Sequence, residues 1–307
     1  MLMRLMFKIA AFNLVLLAAV VVAVELLWGS WLARDPLDRF TLPRDITITV
    51  RAEGLYPGAG TFTLARDHWG MRRSAGDSTT VTPAAVTIIT LGGAATAQGW
   101  LPEDLTWQAE MARALAADGR PVVVANAGID GLGSVGHRRA LSDWLPNVPG
   151  LKPRFVIVLA GADDLAEDPA AQPLRPRTLP EKSGLLRLLA GRPAALAPKP
   201  ASPEFRADSP DGYMERLAEM GDLIHAWGAV PIFVTQAVGE VPPEQRRRLA
   251  RIDAATLSVC RERGLLCLDL AHELVLEPAD FADPVRLAPE GAAKVGRWLA
   301  GKLAGLV

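Results

Sequence analysis

Hydrophobic positions follow three regimes along the chain. Over residues 9–28 they are nearly continuous, broken only by Asn13 and Glu25, which predicts a helix long enough to span a bilayer. The runs Ile46-Thr47-Ile48-Thr49-Val50 and Thr61-Phe62-Thr63-Leu64 alternate at period two around Gly54, Pro57, Gly58 and Gly60, predicting a small β-hairpin. Beyond residue 83, short β-branched apolar runs alternate with longer segments of helical period. Strands are predicted at 87–91, 122–126, 155–159, 231–235 and 265–268, and helices near 104–117, 137–144, 214–227, 244–263 and 289–306. Such alternation builds parallel βαβ units with right-handed crossovers, hence an α/β fold: a three-layer α/β/α sandwich around a five-stranded parallel sheet.

The same pattern divides the chain into an anchor at 1–34, a connector with the hairpin at 35–82, and a main domain at 83–307. Arg4 and Lys8 precede the long apolar run, while Trp28 and Trp31 stand where an interfacial aromatic belt would lie. The expectation is a single-pass signal-anchor in a bacterial cytoplasmic membrane, N-terminus inside and main domain periplasmic. A cleaved signal peptide is the competing reading, against which the run is long and no small-x-small site closely follows. An insertion at about 167–210 carries nine prolines and one short amphipathic helix around 183–190. Its face of Leu185, Leu186, Leu188 and Leu189 either packs on the domain or meets a membrane-protein partner or the bilayer.

Chemistry enters at the end of the first main strand, where Leu91 is followed by Gly92-Gly93-Ala94-Ala95-Thr96 in a tight turn. Asn126-Ala127-Gly128, Gly161-Ala162-Asp163-Asp164 and Asp283-Pro284-Val285-Arg286 follow in order, with Pro289-Glu290-Gly291 behind the last. Together these resemble the four sequence blocks of the SGNH, or GDSL-type, hydrolases. Asp67-His68-Trp69-Gly70-Met71-Arg72 is similar to the segment preceding the first block in membrane-anchored members. The resemblance implies a flavodoxin-like strand order and a site at the carboxyl ends of the strands, near the switch point. It also implies a Ser nucleophile at Ala94, an oxyanion-hole Gly retained as Gly128, an oxyanion-hole Asn at Asp163, a His base at Arg286, and an Asp retained as Asp283.

The replacements remove the chemistry the family would supply. A methyl group cannot attack a carbonyl. An ionised Asp163 only accepts hydrogen bonds and would repel a developing oxyanion. Arg286 stays protonated and cannot take a proton. Gly93, Ala94, Gly128, Asp163, Asp283 and Arg286 are therefore expected to form a degenerate site that binds without turnover. Arg286 would pair with Asp163 or Asp283, or would hold an anionic group such as a sugar-polymer carboxylate. Ser134 and His137 follow the second strand on the active edge, and offer an alternative nucleophile and base; Thr96 is a further hydroxyl.

Composition narrows the remaining possibilities. The chain has 307 residues, half of them apolar, with a formal charge of -1 and no long basic run, so no nucleic-acid footprint is expected. No cofactor is expected. No metal is expected either: Asp163, Asp164 and Asp283 could offer hard oxygens, but Arg286 at the same mouth opposes a cation. Cys260 and Cys267 flank a turn and could be bridged in an oxidising compartment or remain small core thiols. The reading is a membrane-anchored, SGNH-like pseudoenzyme serving as a binding or assembly module, with envelope polysaccharide or a membrane protein as partner. The alternative is an esterase or O-acyltransferase with a relocated nucleophile, acting on acylated envelope polysaccharide or lipid.

Overall fold

A computed structural model describes residues 2–31, 35–74, 82–166, 173–189 and 210–307. Contacts divide the chain into one unit of Met1–Leu42 with Arg175–Leu196 and another of Pro43–Leu174 with Ala197–Val307. Most of the expected insertion, including residues 190–209, lies outside the described residues.

In order, the elements are α1 (Leu2–Trp28), β1 (Ile46–Arg51), β2 (Thr61–Arg66), β3 (Arg72–Ser74), β4 (Ile88–Gly92), α2 (Ala94–Ala97), α3 (Trp107–Ala117), β5 (Val124–Asn126), α4 (Ser134–Arg139), β6 (Phe155–Leu159), α5 (Ala162–Ala166), α6 (Leu179–Lys182), α7 (Gly184–Leu189), α8 (Pro210–Ala226), β7 (Val230–Val234), α9 (Pro243–Arg263), β8 (Leu266–Leu268), α10 (Leu270–Glu273), β9 (Phe281–Asp283), β10 (Arg286–Leu287) and α11 (Pro289–Leu303).

The larger unit is built on a sheet with strand order β1-β2-β3-β5-β4-β6-β7-β8. Five strands, β5, β4, β6, β7 and β8, run parallel in the flavodoxin-like order, with β4 and β6, the first and third of them along the chain, adjacent. In β6 all of Phe155-Val156-Ile157-Val158-Leu159 is buried, because helices cover both faces and no position can be polar. Phe155, Ile157 and Leu159 join Ile88, Met111, Leu115, Leu299 and Leu303 in the core beneath α3 and α11. Gly296 lets those two helices approach, since a Cβ there would lie 2.6 Å from the Trp107 carbonyl oxygen. On the opposite face α4, α8 and α9 pack in series.

The hairpin is more than a connector. β1 pairs with β2, β2 with β3, and β3 antiparallel with β5, so the expected mounting extends the main sheet to eight strands among the described residues. The three-residue β3 escapes periodicity because its partners, not its sequence, make it a strand. The Asp67 carboxylate accepts the N–H groups of Trp69 (2.9 Å) and Met71 (2.8 Å) and folds the turn between β2 and β3. Cys260 and Cys267 are bridged, tying the end of α9 to β8.

In the smaller unit, α1 is long and apolar enough to cross a membrane. Phe40 forms a bridge with Pro176, and a bidentate ion pair joins Arg175 to Glu181 at 2.7–2.8 Å. The helix expected around 183–190 is α7, and it packs against α1.

Candidate functional site

The site begins where β4 ends. α2 starts at Ala94 and stops after one turn, its end marked by Gln98 in the left-handed conformation at φ 45°. That unfavourable backbone is held because the buried Gln98 side chain accepts the N–H of Trp107 at 2.9 Å, tying α2 to the start of α3. The Asn126 and Gln108 side-chain amides both donate to the Thr96 carbonyl at 2.9 Å, so the first and second expected blocks are held together.

Asp163, at the start of α5 beyond the adjacent β6, reaches across this turn. Its Oδ2 accepts the backbone N–H of Ala94 at 3.1 Å. The carboxylate lies over Gly93, where any Cβ would collide with it. Gly128 also packs closely, against the backbone of Thr96 and Ala97, and its N–H donates to the Asn126 side-chain oxygen at 2.9 Å. The backbone N–H groups of Ala94 and of Gly128, the expected oxyanion-hole glycine, are thus both engaged by side chains of this chain.

Arg286 arrives from β10 and is almost wholly buried. Its guanidinium lies 5.1 Å from the ring centroid of Trp100, 3.4 Å from Asp283 and 3.9 Å from Asp130. Asp283 also accepts the backbone N–H groups of Val285 (3.0 Å) and Arg286 (2.9 Å), so one carboxylate shapes the loop and faces its cation. The expected pairing is therefore with Asp283, and Asp130 is an addition. The same Asp130 carboxyl is raised above its usual range by the surrounding protein, a tendency that Arg286 opposes. Among the described residues no three acidic, His or Cys side chains converge for a metal.

This arrangement, an αβ sheet with four loop segments meeting at the carboxyl ends of β4, β5 and β6 and at β9–β10, coincides with a match to the model of the GDSL-like lipase/acylhydrolase family over residues 74–294. The chain belongs to that family. Solved structures similar to this GDSL-like chain include TesA, with 18% identity and TM-score 0.49 over 71% of this chain and 99% of that one. A lipase/acylhydrolase from Enterococcus faecalis has 19% identity and TM-score 0.48 over 72% and 96%. A carbohydrate acetylesterase from Sinorhizobium meliloti, Est24, has 11% identity and TM-score 0.49 over 72% and 100%. No curated protein sequence matches the chain.

Within this GDSL-like domain, Ser134 and His137 do not form a pair. The Ser134 hydroxyl donates to Asp164 and accepts from Nε of Arg216 at 2.7 Å. Both Ser134 and His137 are fully buried, as is Thr96. Burial pushes the His137 ring down to about 4, against weaker opposing contributions from the backbone of Gly92 and Leu132, so it is neutral at pH 7. Asp163 and Asp164, adjacent in sequence, thus hold different segments: one the N–H of Ala94, the other Ser134.

Two arginines escaped the sequence-based site. Arg66 donates to the carbonyls of Gly70 (2.7 Å) and Gly128. Arg72 donates to those of Ala97 and Gln98 (2.6 Å each) and Leu101, and pairs with Glu103 at 2.6 Å. Burial and the neighbouring Arg72 pull Arg66 down to about 10, still charged at pH 7. The signal was present in the segment from Arg66 to Arg72, but charge in a short polar strand reads as surface.

Proposed function

We propose that this chain is a membrane-anchored, extracytoplasmic GDSL-like pseudoenzyme that has lost acyl transfer and serves as a binding or assembly module of the cell envelope. The observation that carries this reading is the Asp163 carboxylate on the N–H of Ala94. A methyl group stands in the nucleophile position, and an acceptor occupies the donor that would stabilise an oxyanion. Arg286, buried between Trp100 and two carboxylates, supplies no base. Its charge is matched within the chain, which favours neutral or polyhydroxylated ligands over an anionic polymer. Acylated envelope polysaccharide or lipid is the ligand class that family membership suggests. The positive residues Arg4 and Lys8 support an N-terminus inside the cytoplasmic membrane and a main domain outside it.

The test is incubation of the full chain in mild detergent with a small activated acetyl ester, following product release and intact mass. The expected result is neither turnover above buffer nor a covalent acetyl adduct. Turnover that disappears in Ser134→Ala would establish a relocated nucleophile instead and overturn this reading.

A further inference from the structure

The short helix α7 is too small to be stable alone, since helices of so few residues do not repay their nucleation in water. Its stability comes from the end of α1. Glu25 accepts Ser183 Oγ at 2.6 Å, the N–H of Gly184 at 3.0 Å and the N–H of Leu185 at 3.2 Å. Trp31 Nε1 donates to the same carboxylate at 2.6 Å, and the N–H of Leu186 goes to Ser183 Oγ at 3.1 Å. The first three N–H groups of α7 are thus satisfied, two of them by a carboxylate from another helix placed at the positive end of this one. Ser30 N–H donates to the Lys182 carbonyl at 2.9 Å, and a Cβ on Gly184 would stand 2.7 Å from the backbone of Trp28 and Gly29. Glycine is required for so close an approach.

This latch fixes α7 at one level, the last turn of α1. There Leu26, Leu27 and Trp28 are 61–72% exposed, and on α7 Leu186, Leu188 and Leu189 are 47–74% exposed. The apolar surface of the spanning helix continues onto α7 without a break in kind. An acidic residue inside an apolar span is costly unless paired, and the latch provides four donors for it.

We propose that Leu186, Leu188 and Leu189 insert into the lipid at the membrane surface where α1 emerges, so that α7 is a second, interfacial membrane contact latched to the anchor through Glu25. The proposal rests on α1 spanning the bilayer, and commits to lipid rather than a membrane protein because the leucines continue a surface that itself faces acyl chains.

The full chain is reconstituted in phosphatidylcholine vesicles with an environment-sensitive fluorophore on a single cysteine, Leu16→Cys or Leu188→Cys in separate preparations, and bromine-labelled lipids serve as quencher. Quenching and a blue-shifted emission are expected at both positions, and Glu25→Ala should abolish the effect at 188 while leaving it at 16. Quenching at 16 with a water-like signal at 188 would overturn the proposal and leave the anchor standing, pointing to a protein partner for the leucines. Loss of quenching at both would overturn the anchor and the proposal together. Equal quenching at 188 with and without Glu25 would refute the latch.

Discussion

Oδ2 of Asp163 lies 3.1 Å from the backbone nitrogen of Ala94, so the donor that begins α2 is held by a carboxylate of the same chain. Restoring a hydroxyl at Ala94 alone therefore gives a nucleophile with no base and a hole already filled. Ala94→Ser is expected to leave ester hydrolysis at background. The triple change Ala94→Ser, Asp163→Asn and Arg286→His returns the nucleophile, an amide donor and a base. A base contributes about 10²–10⁴-fold and a single oxyanion donor about 10²–10³-fold. The triple variant should exceed each single variant by about 10²-fold or more in initial rate on an activated acetyl ester. A folded but silent triple variant would show that the cleft has closed beyond the three replaced groups.

The packing of the Asp163 carboxylate on Gly93 makes a second prediction that needs no activity. A methyl at Gly93 has nowhere to go while the carboxylate is in place. Gly93→Ala should destabilise the chain by about 1–3 kcal/mol through overpacking. In an Asp163→Ala background the same substitution should cost little, because the colliding atoms are gone. The strong non-additivity, read by chemical denaturation of the four proteins in a double-mutant cycle, is the expected result. Additive costs would mean that Asp163 does not lie over Gly93 in solution.

Arg72 reaches from β3, between β2 and β5 in the sheet, to hold three carbonyls at the end of α2 and in the loop after it, and its side chain is 1% exposed. Arg72→Met keeps much of the volume but leaves those carbonyls and the Glu103 carboxylate without their cation. The loss should be about 3–5 kcal/mol, as for other buried pairs broken on one side. A fall of this size in urea denaturation, with Arg113→Met as an exposed control near zero, would confirm that β3 supports the turn after α2.

These expectations mark the limit of what was legible in the chain. The parallel strands could be read because burial on both faces demands unbroken apolar runs, as in Phe155 to Leu159. Ala94, Gly128 and Asp163 were expected together because the ends of neighbouring parallel strands at the switch point bring such positions to one place, and they follow β4, β5 and β6. The partners of Arg286 were harder. Trp100 and Asp130 lie over 150 positions away in sequence, and nothing local marks either. Arg66 and Arg72 were hidden for a related reason: their burial depends on carbonyls from α2 and from the loop after β5 that no nearby residue announces. Ser134 was offered as a partner of His137 because both follow the second strand on the active edge, a placement that does not tell that the Ser134 hydroxyl donates to Asp164.

Two buried titratable groups oppose each other in the acid range. His137 is held neutral, its pKa lowered from 6.5 to about 4 chiefly by burial, so the unfolded chain takes up a proton below 6.5 that the folded chain refuses until about 4. Stability from this group is complete above 6.5 and declines as the pH falls towards 4, by about 3 kcal/mol in all. Asp253 is 3% exposed, and burial raises its carboxyl from 3.8 to about 7 against the Gln236 N–H it accepts at 3.2 Å. Its contribution is complete below 3.8 and is lost as the pH rises towards 7, by about 4 kcal/mol. Between about 4 and 6.5 the folded chain protonates Asp253 and leaves His137 neutral, while the unfolded chain does the reverse, so the pair binds one proton in either state and its two slopes cancel. Substitution uncovers them singly. Relative to the parent, Asp253→Asn should lose stability as the pH drops from 6.5 to 4.5, and His137→Leu should gain it. Urea denaturation of the three proteins at intervals across that range checks both signs, and parallel curves for parent and variants would show that neither group is held in its uncharged form.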